Sequence, residues 1–386
     1  MFHTSYIEIS QAAFRQNISY LKQKIGPDTE FSSVIKGNAY GHGIDTILPM
    51  AEECGVRHFS VFSADEALRA SEVRSNGSDL MIMGMIDDHE LEWAIESGIS
   101  FYVFEMQRLE AAVQAARKIG RKARIHLELE TGMYRTGFDK TELEQAITYL
   151  LQHPDAIEIE GVCTHLAGAE SISNYLRVKN QIKAYGKLMR MIDKRGLPYK
   201  KRHLACSAAA IRYPKTVLDM VRIGIAQYGL WPNRETFMQD VVENNRNEMS
   251  EDPLKRVISW KSKVMSTKRV PANRFIGYGS SYLTNDVTYI ATVPVGYTHG
   301  FNRSLSNLGR VLINGNRLPV IGLVNMNMMM VDITGAQDEI AKGAEAIIIG
   351  SDGNIDMSVG SFSELTSKLN YETLARLPHD IPRYIV

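Results

Sequence analysis

Between about residues 30 and 230, eight short apolar or β-branched runs alternate with longer stretches of helical period, and few folds accommodate that alternation. The runs are FSSVIK (31–36), RHFSVF (57–62), LMIMG (80–84), SFYVF (100–104), IHLELE (125–130), IEGVCTHL (159–166), RHLACS (202–207) and VRIGIAQYG (221–229). Helical patterns occupy 90–98, 108–120, 142–153 and about 172–194 between them. Eight strands with intervening helices close most simply into a TIM-like (β/α)8 barrel, whose reactive residues sit at the C-terminal ends of its strands.

A barrel of about 250 residues leaves a second domain of about 130 in a chain of 386. The texture changes after Trp231: residues 233–253 are polar and without clear period, and read as an exposed linker or insertion. From about 257 the runs VISWKSKVMSTKRV, YIATVPVGY, GRVLINGNRLPVIGLV and MMMVDIT are β-rich, with INGN marking a hairpin. The expectation is an α/β chain, with a barrel over 1–240 and a mainly β domain over 241–386. The methionines of MNMMMV read as core packing.

Lysine plus arginine and aspartate plus glutamate both number 44, so no excess charge draws the chain to nucleic acid or an anionic membrane. Cys54, Cys163 and Cys206 are odd in number and lack metal-site spacing, which fits a reducing, cytoplasmic setting with no metal. The first residues carry no signal-peptide pattern, and no run reaches the roughly 18 apolar residues that span a bilayer.

Lys36 closes an apolar strand and precedes GNAYGHG, so its ammonium is expected at the mouth of a barrel. Partial burial there lowers an amine's pKa, and an uncharged amine is what attack on an aldehyde needs. On position alone, a strand-end lysine facing solvent is an equal reading. The string VIKGNAYGHG, however, resembles the cofactor-lysine motif of alanine racemases. The resemblance recurs in order through TGMYRTG (131–137), THLAGAE (164–170), HLACSAA (203–209), RIGIAQYGL (222–230), GYGSSY (277–282), VPVGYTHGF (293–301), GLVNMNMMMVDI (322–333) and NYETLARLP (370–378).

The resemblance implies pyridoxal 5'-phosphate (PLP) held by Lys36 as a Schiff base, and racemisation of an amino acid, alanine first. It implies that Tyr40, Ser207 and the Gly224–Ile225 turn bind the phosphate, with Tyr371 nearby. It places His165 against the cofactor ring, and Arg222 on the pyridine nitrogen with His203 behind it. Arginine gives up its proton too reluctantly to protonate that nitrogen, which restrains delocalisation of a carbanion into the ring. A PLP decarboxylase of the same architecture has a glutamate pattern there, so Arg222 speaks against that class. A small PLP-carrying barrel protein lacks the β domain, so residues 257–386 speak against it.

Racemisation removes a proton from one face of Cα and returns it to the other, which calls for two opposed bases. By resemblance these are Lys36 and Tyr278, the tyrosine arriving from a second copy, so that a homodimer with composite sites is implied. Arg135 is implied to bind the substrate carboxylate, and Tyr297 and Met326 to line the substrate pocket, Met326 through its backbone. Where many relatives carry a carbamylated lysine that orients the arginine, this chain has Glu128, a ready-made anion expected to hold Arg135 unmodified. Asn325, Asn327 and Cys206 also depart from the usual pattern. They leave broad-specificity, serine and basic amino-acid racemisation open beside alanine, since one methylene is discriminated by only about 1–3 kcal/mol.

Overall fold

The computed structural model describes residues 3–244, 252–360, 362 and 370–386 of the 386. The chain divides into two compact units, one of residues 13–37 and 47–255, the other of residues 1–12, 38–46 and 256–386. Strand β1 (Ser5–Ile9) belongs to the second unit, and the next eight strands build the first.

These eight are β2 (Glu30–Val34), β3 (His58–Ser63), β4 (Asp79–Met85), β5 (Ser100–Val103), β6 (Ala123–Glu128), β7 (Ile157–Cys163), β8 (Lys201–His203) and β9 (Met220–Ile223). Each falls on one of the eight apolar runs. They pair in parallel in the order β8-β7-β6-β5-β4-β3-β2-β9. A parallel bridge between Cys206 and Arg222 links the two ends, so the sheet closes into the expected barrel. Leu80, Met81 and Ile82 of β4 are all fully buried, as in parallel strands covered on both faces.

The covering helices carry the local signals their residues dictate. In Met106–Ile119 the buried Leu109, Ala112, Val113 and Ala116 follow the helical repeat, and Gly120 ends the helix in the left-handed region. Lys140–Gln152 opens with a capping box, the Asp139 carboxylate accepting the Glu142 N–H at 2.8 Å and Glu142 accepting the Asp139 N–H at 3.0 Å. Among the described residues, no helix is long and apolar enough to cross a membrane.

Residues 233–253 differ from the linker read in the sequence. Arg234–Glu243 is a helix capped by the Asn233 side chain, which accepts the Thr236 N–H at 2.9 Å. The buried side of this helix is largely polar, which is why no apolar stripe marks it in the sequence. Asp240, fully buried, accepts from the Tyr20 hydroxyl at 2.5 Å and from Lys24 Nζ at 2.9 Å. Residues 245–251 of that stretch lie outside the described residues.

The second unit is a sheet of β1 with β10 (Ile258–Lys263), β11 (Ser266–Val270), β12 (Thr288–Val293), β13 (Arg310–Ile313), β14 (Asn316–Ile321), β15 (Met329–Asp332), β16 (Glu345–Asp352), β17 (Ile355–Met357) and β18 (Arg383–Ile385). The path runs β11-β12-β15-β14-β13-β16-β10-β1-β18, with β17 on β16. Strand β1 pairs antiparallel with β10 and parallel with β18, so the first strand of the chain finds its hydrogen bonds among residues beyond 256. The INGN signal is the β13–β14 turn, with Asn314 and Gly315 both at positive φ as a two-residue hairpin requires. Met329 and Met330 are buried in β15, and Met330 packs with Ile276, Ile290 and Ile321.

Directly after Lys36 the backbone turns the opposite way from an ordinary helix. Gly37, Asn38, Ala39, Tyr40 and Gly41 all have φ between 52° and 82°. L-residues pay about 1–2 kcal/mol each in a left-handed turn, so three consecutive non-glycine residues there need holding. The Asn38 side-chain oxygen accepts the Ile44 N–H at 3.1 Å, and the Asn38 carbonyl accepts the Gly43 N–H at 2.9 Å. His42 Nδ1 lies 3.0 Å from the carbonyl oxygens of both Ala39 and Tyr40.

Candidate active site

The barrel unit carries ten of the residues singled out in the sequence, and all occupy the C-terminal side of its strands. Lys36 follows β2, Glu128 ends β6 with Arg135 in the next loop, His165 follows β7, His203 ends β8 with Cys206 and Ser207 beyond it, and Arg222 lies within β9 ahead of Gly224 and Ile225. Reactive groups of (β/α)8 barrels collect on this side.

Solvent reaches the Lys36 side chain, yet protein crowds its ammonium closely enough for desolvation to lower its pKa below the usual lysine value. The Arg135 and Arg222 charges push the same way, and Glu66 opposes them. Glu66 also fixes the backbone on either side of the site, accepting the Gly37 N–H at 2.5 Å and the Phe62 N–H at 2.8 Å.

Arg222 is buried, and its guanidinium is committed on several sides. Nη1 donates to His203 Nδ1 and, at 3.1 Å, to the His203 carbonyl; Nη2 donates to the Thr164 carbonyl at 2.8 Å. Burial opposes its charge, but Tyr102, Cys163, Cys206 and Glu128 more than offset that, so its pKa is raised and it stays a cation. His165 is held near a pKa of about 3 by desolvation and by the Arg222, Arg135 and Lys36 charges, so it is a neutral ring at any ordinary pH.

The Ser207 hydroxyl accepts the Gly224 N–H at 2.9 Å and the Ala226 N–H at 3.5 Å. Backbone donors after β9 thus converge on one oxygen, a donor set suited to a phosphate. Glu128, buried at the end of β6, accepts the Thr136 hydroxyl at 2.7 Å and lies 4.0 Å from Arg135 Nη2. Desolvation raises its pKa, against the Thr136 hydrogen bond and the Arg135 charge.

The remaining candidates belong to the second unit. The Tyr40 and Tyr371 rings meet edge to face with centroids 5.9 Å apart. Tyr278 is 72% exposed between Gly277 and Gly279, both at positive φ, at the tip of a loop closed by the Phe275–Leu283 bridge. Tyr297 and Met326 are brought together by a clasp: Met326 O accepts the Thr298 N–H at 3.1 Å and the Thr298 hydroxyl at 2.7 Å, and Asn327 Nδ2 donates to that hydroxyl at 3.2 Å. A Cβ on Gly296 would lie 2.2 Å from Asn325 O, so only glycine permits the approach.

Residues 9–232 match the model of the alanine racemase N-terminal domain, and residues 257–385 that of the C-terminal domain. The chain belongs to the alanine racemase family. An alanine racemase of Leptospira interrogans serogroup Icterohaemorrhagiae serovar copenhageni is 32% identical over 391 residues, covering 100% of this chain and 96% of the relative. The Bacillus anthracis alanine racemase crystallised with bound L-Ala-P superposes with a TM-score of 0.90 at 28% identity, covering 100% of this chain and 96% of that one. The Bartonella henselae alanine racemase with covalently bound pyridoxal phosphate gives 0.86 at 27% identity, covering 100% of both chains.

Within this family member, several residues around the site went unnoticed in the sequence. Glu66, His126 and Gln181 lie outside the motifs, and Thr136 and Thr164 lie inside TGMYRTG and THLAGAE without a role of their own. Gln181, buried on the long helix Tyr175–Arg195, accepts the Ala167 N–H at 2.8 Å and donates to the His165 carbonyl at 3.0 Å, so it holds the loop after β7 from a distance in sequence. Only a polar residue on the buried face of that helix could have signalled it.

Proposed function

We propose that this chain interconverts the L and D forms of a small amino acid, alanine first, using pyridoxal 5'-phosphate. One observation carries the reading: a desolvated lysine at a barrel mouth, flanked by the Arg135 and Arg222 charges, on the same side of the barrel as the convergent backbone donors of Gly224 and Ala226. The residues present fit the cofactor. An amine of lowered pKa suits its aldehyde, and the Ser207, Gly224 and Ile225 group suits its phosphate. When bound, the cofactor supplies an electron sink that acidifies the Cα–H of the amino acid it carries.

The chain's own residues do the rest. Arg135 takes the substrate carboxylate through paired donors, oriented by Glu128. Lys36 Nζ accepts or returns the proton on one face of Cα. The Tyr278 hydroxyl of a second copy serves the other face, a role that suits a tyrosine standing exposed at a loop tip. Arg222 is assigned to the ring nitrogen with His203 behind it, the neutral His165 to the ring, and Tyr371 to the phosphate end beside Tyr40. Tyr297 and the Met326 backbone bound the substrate side chain. The homodimer with composite sites follows from the role given to Tyr278. The described cysteines are all free, which suits the cytoplasm.

Racemisation of serine, basic or a broad range of amino acids is the second reading, supported by the departures at Asn325, Asn327 and Cys206. Two measurements test the proposal. Purified protein with added cofactor should absorb in the visible, and Lys36→Ala should abolish the band; an unchanged band removes the cofactor assignment. A panel of single-enantiomer amino acids, followed by loss of optical rotation, ranks the substrates.

A further inference from the structure

The function proposed above uses Arg222 and His203 but leaves unused a second buried imidazole that reaches them. His126 Nδ1 lies 2.9 Å from His203 Nε2, and neither residue is more than 2% exposed. The hydrogen bonds around His203 can run in only one direction. Arg222 has no acceptor, so its Nη1–H donates to His203 Nδ1, which must bear a lone pair. A neutral His203 then carries its proton on Nε2 and donates it to His126 Nδ1, and His126 in turn is protonated on Nε2.

The barrel makes room for this contact. Gly161 of β7 lies between β6 and β8, paired with His126 on one side and Lys201 on the other. A Cβ at Gly161 would lie 2.5 Å from His126 Nδ1 and 2.8 Å from His203 Nε2, so any other residue would drive the two rings apart. Glycine inside a strand weakens it and marks a place where something approaches closely. The β6–β7 register also shifts between Ile125 and His126. Burial, first, holds both imidazoles well below the usual histidine pKa, with Arg222 next for His203 and His58 and Lys201 next for His126, so the pair stays neutral.

We propose that His126 is a positioning residue for Arg222: by accepting the Nε2–H of His203, it fixes the ring whose Nδ1 holds the guanidinium. Remove that acceptor and His203 is left with a buried, unsatisfied N–H, which costs more than the bond itself contributes. The ring then turns toward another acceptor and Arg222 loses its support. The inference rests on the reading that Arg222 acts on the cofactor ring, but its first test does not.

That test is histidine-selective 15N NMR on cofactor-free protein. His203 should show a protonated Nε2 and a lone-pair Nδ1 from pH 5 to 9. His126→Leu should move or lose that Nε2–H resonance, and His126→Gln, which keeps an oxygen acceptor, should restore it. In the loaded enzyme, H126L should lower kcat about tenfold with KM within about twofold, and H126Q should recover most of the loss. Should H126L fail to fold, Gly161→Ala makes the same displacement from the neighbouring strand and should perturb the same resonance. A His203 with no proton on Nε2, an H126L resonance or kcat like wild type, or an H126Q no better than H126L overturns the inference. Failure of the functional reading looks different: a wild-type protein that racemises no amino acid.

Discussion

The Glu128 carboxylate lies 4.0 Å from the Arg135 guanidinium while accepting the Thr136 hydroxyl at 2.7 Å, so an anion buried at the end of β6 faces the cation proposed to hold substrate. Charge at Glu128 is costly, because burial raises its pKa, and it is useful only while ionised. As pH falls through that raised pKa, Glu128 takes up a proton, Arg135 loses its anion, and KM should rise. Glu128→Gln should show the high KM at every pH, by about fivefold or about 1 kcal/mol, since Arg135 is partly exposed. The stability effect has the opposite sense. The folded state binds this proton more tightly than the unfolded chain, so wild type loses stability as pH rises from the ordinary glutamate range through the raised value. Thermal unfolding of Glu128→Gln should show less of that loss and a higher Tm than wild type at pH 8. A Gln variant with wild-type KM and an unchanged pH slope contradicts the role.

The left-handed turn after Lys36 should be measurable as stored strain. Asn tolerates that conformation better than Ala and here also caps Ile44. Asn38→Ala should lose about 1–2 kcal/mol in denaturant unfolding, from one hydrogen bond and one left-handed residue. Asn38→Gly, which keeps the backbone and loses only the cap, should fall between Ala and wild type. Equal losses from both variants would mean that the side chain, not the conformation, matters.

Tyr278 should separate the two faces of the substrate. Tyr278→Phe is expected to keep the visible absorbance of the bound cofactor and to lose racemisation by about a hundredfold or more, within the range ascribed to a positioned acid–base group. Exchange of the Cα proton with deuterated solvent should persist from one enantiomer only. Equal loss of exchange from both enantiomers contradicts a two-base arrangement.

The barrel was legible because parallel strands covered on both faces are continuous apolar runs, and all eight runs became β2 to β9. The helix Arg234–Glu243 was not, because Thr236 and Asp240 fill its buried side and their partners Asn233, Tyr20 and Lys24 take the place of an apolar stripe. The pairing of β1 with β10 and β18 was hidden for another reason: sheet partners some 250 and 375 residues away leave no local trace. At the site, Lys36, Arg135 and Arg222 announced themselves through motifs. Residues that act through others, such as Glu66, Gln181 and His126, did not, since a polar residue of this kind is recognisable only once its partner is in place.

The central claim is tested most directly by following the chirality of alanine with purified, cofactor-loaded protein, starting separately from the L and the D form. Both solutions should converge on the same racemic mixture, and Lys36→Ala should leave each as it began. Retention of chirality by wild type from either side, across alanine and the wider amino-acid panel, would contradict the account.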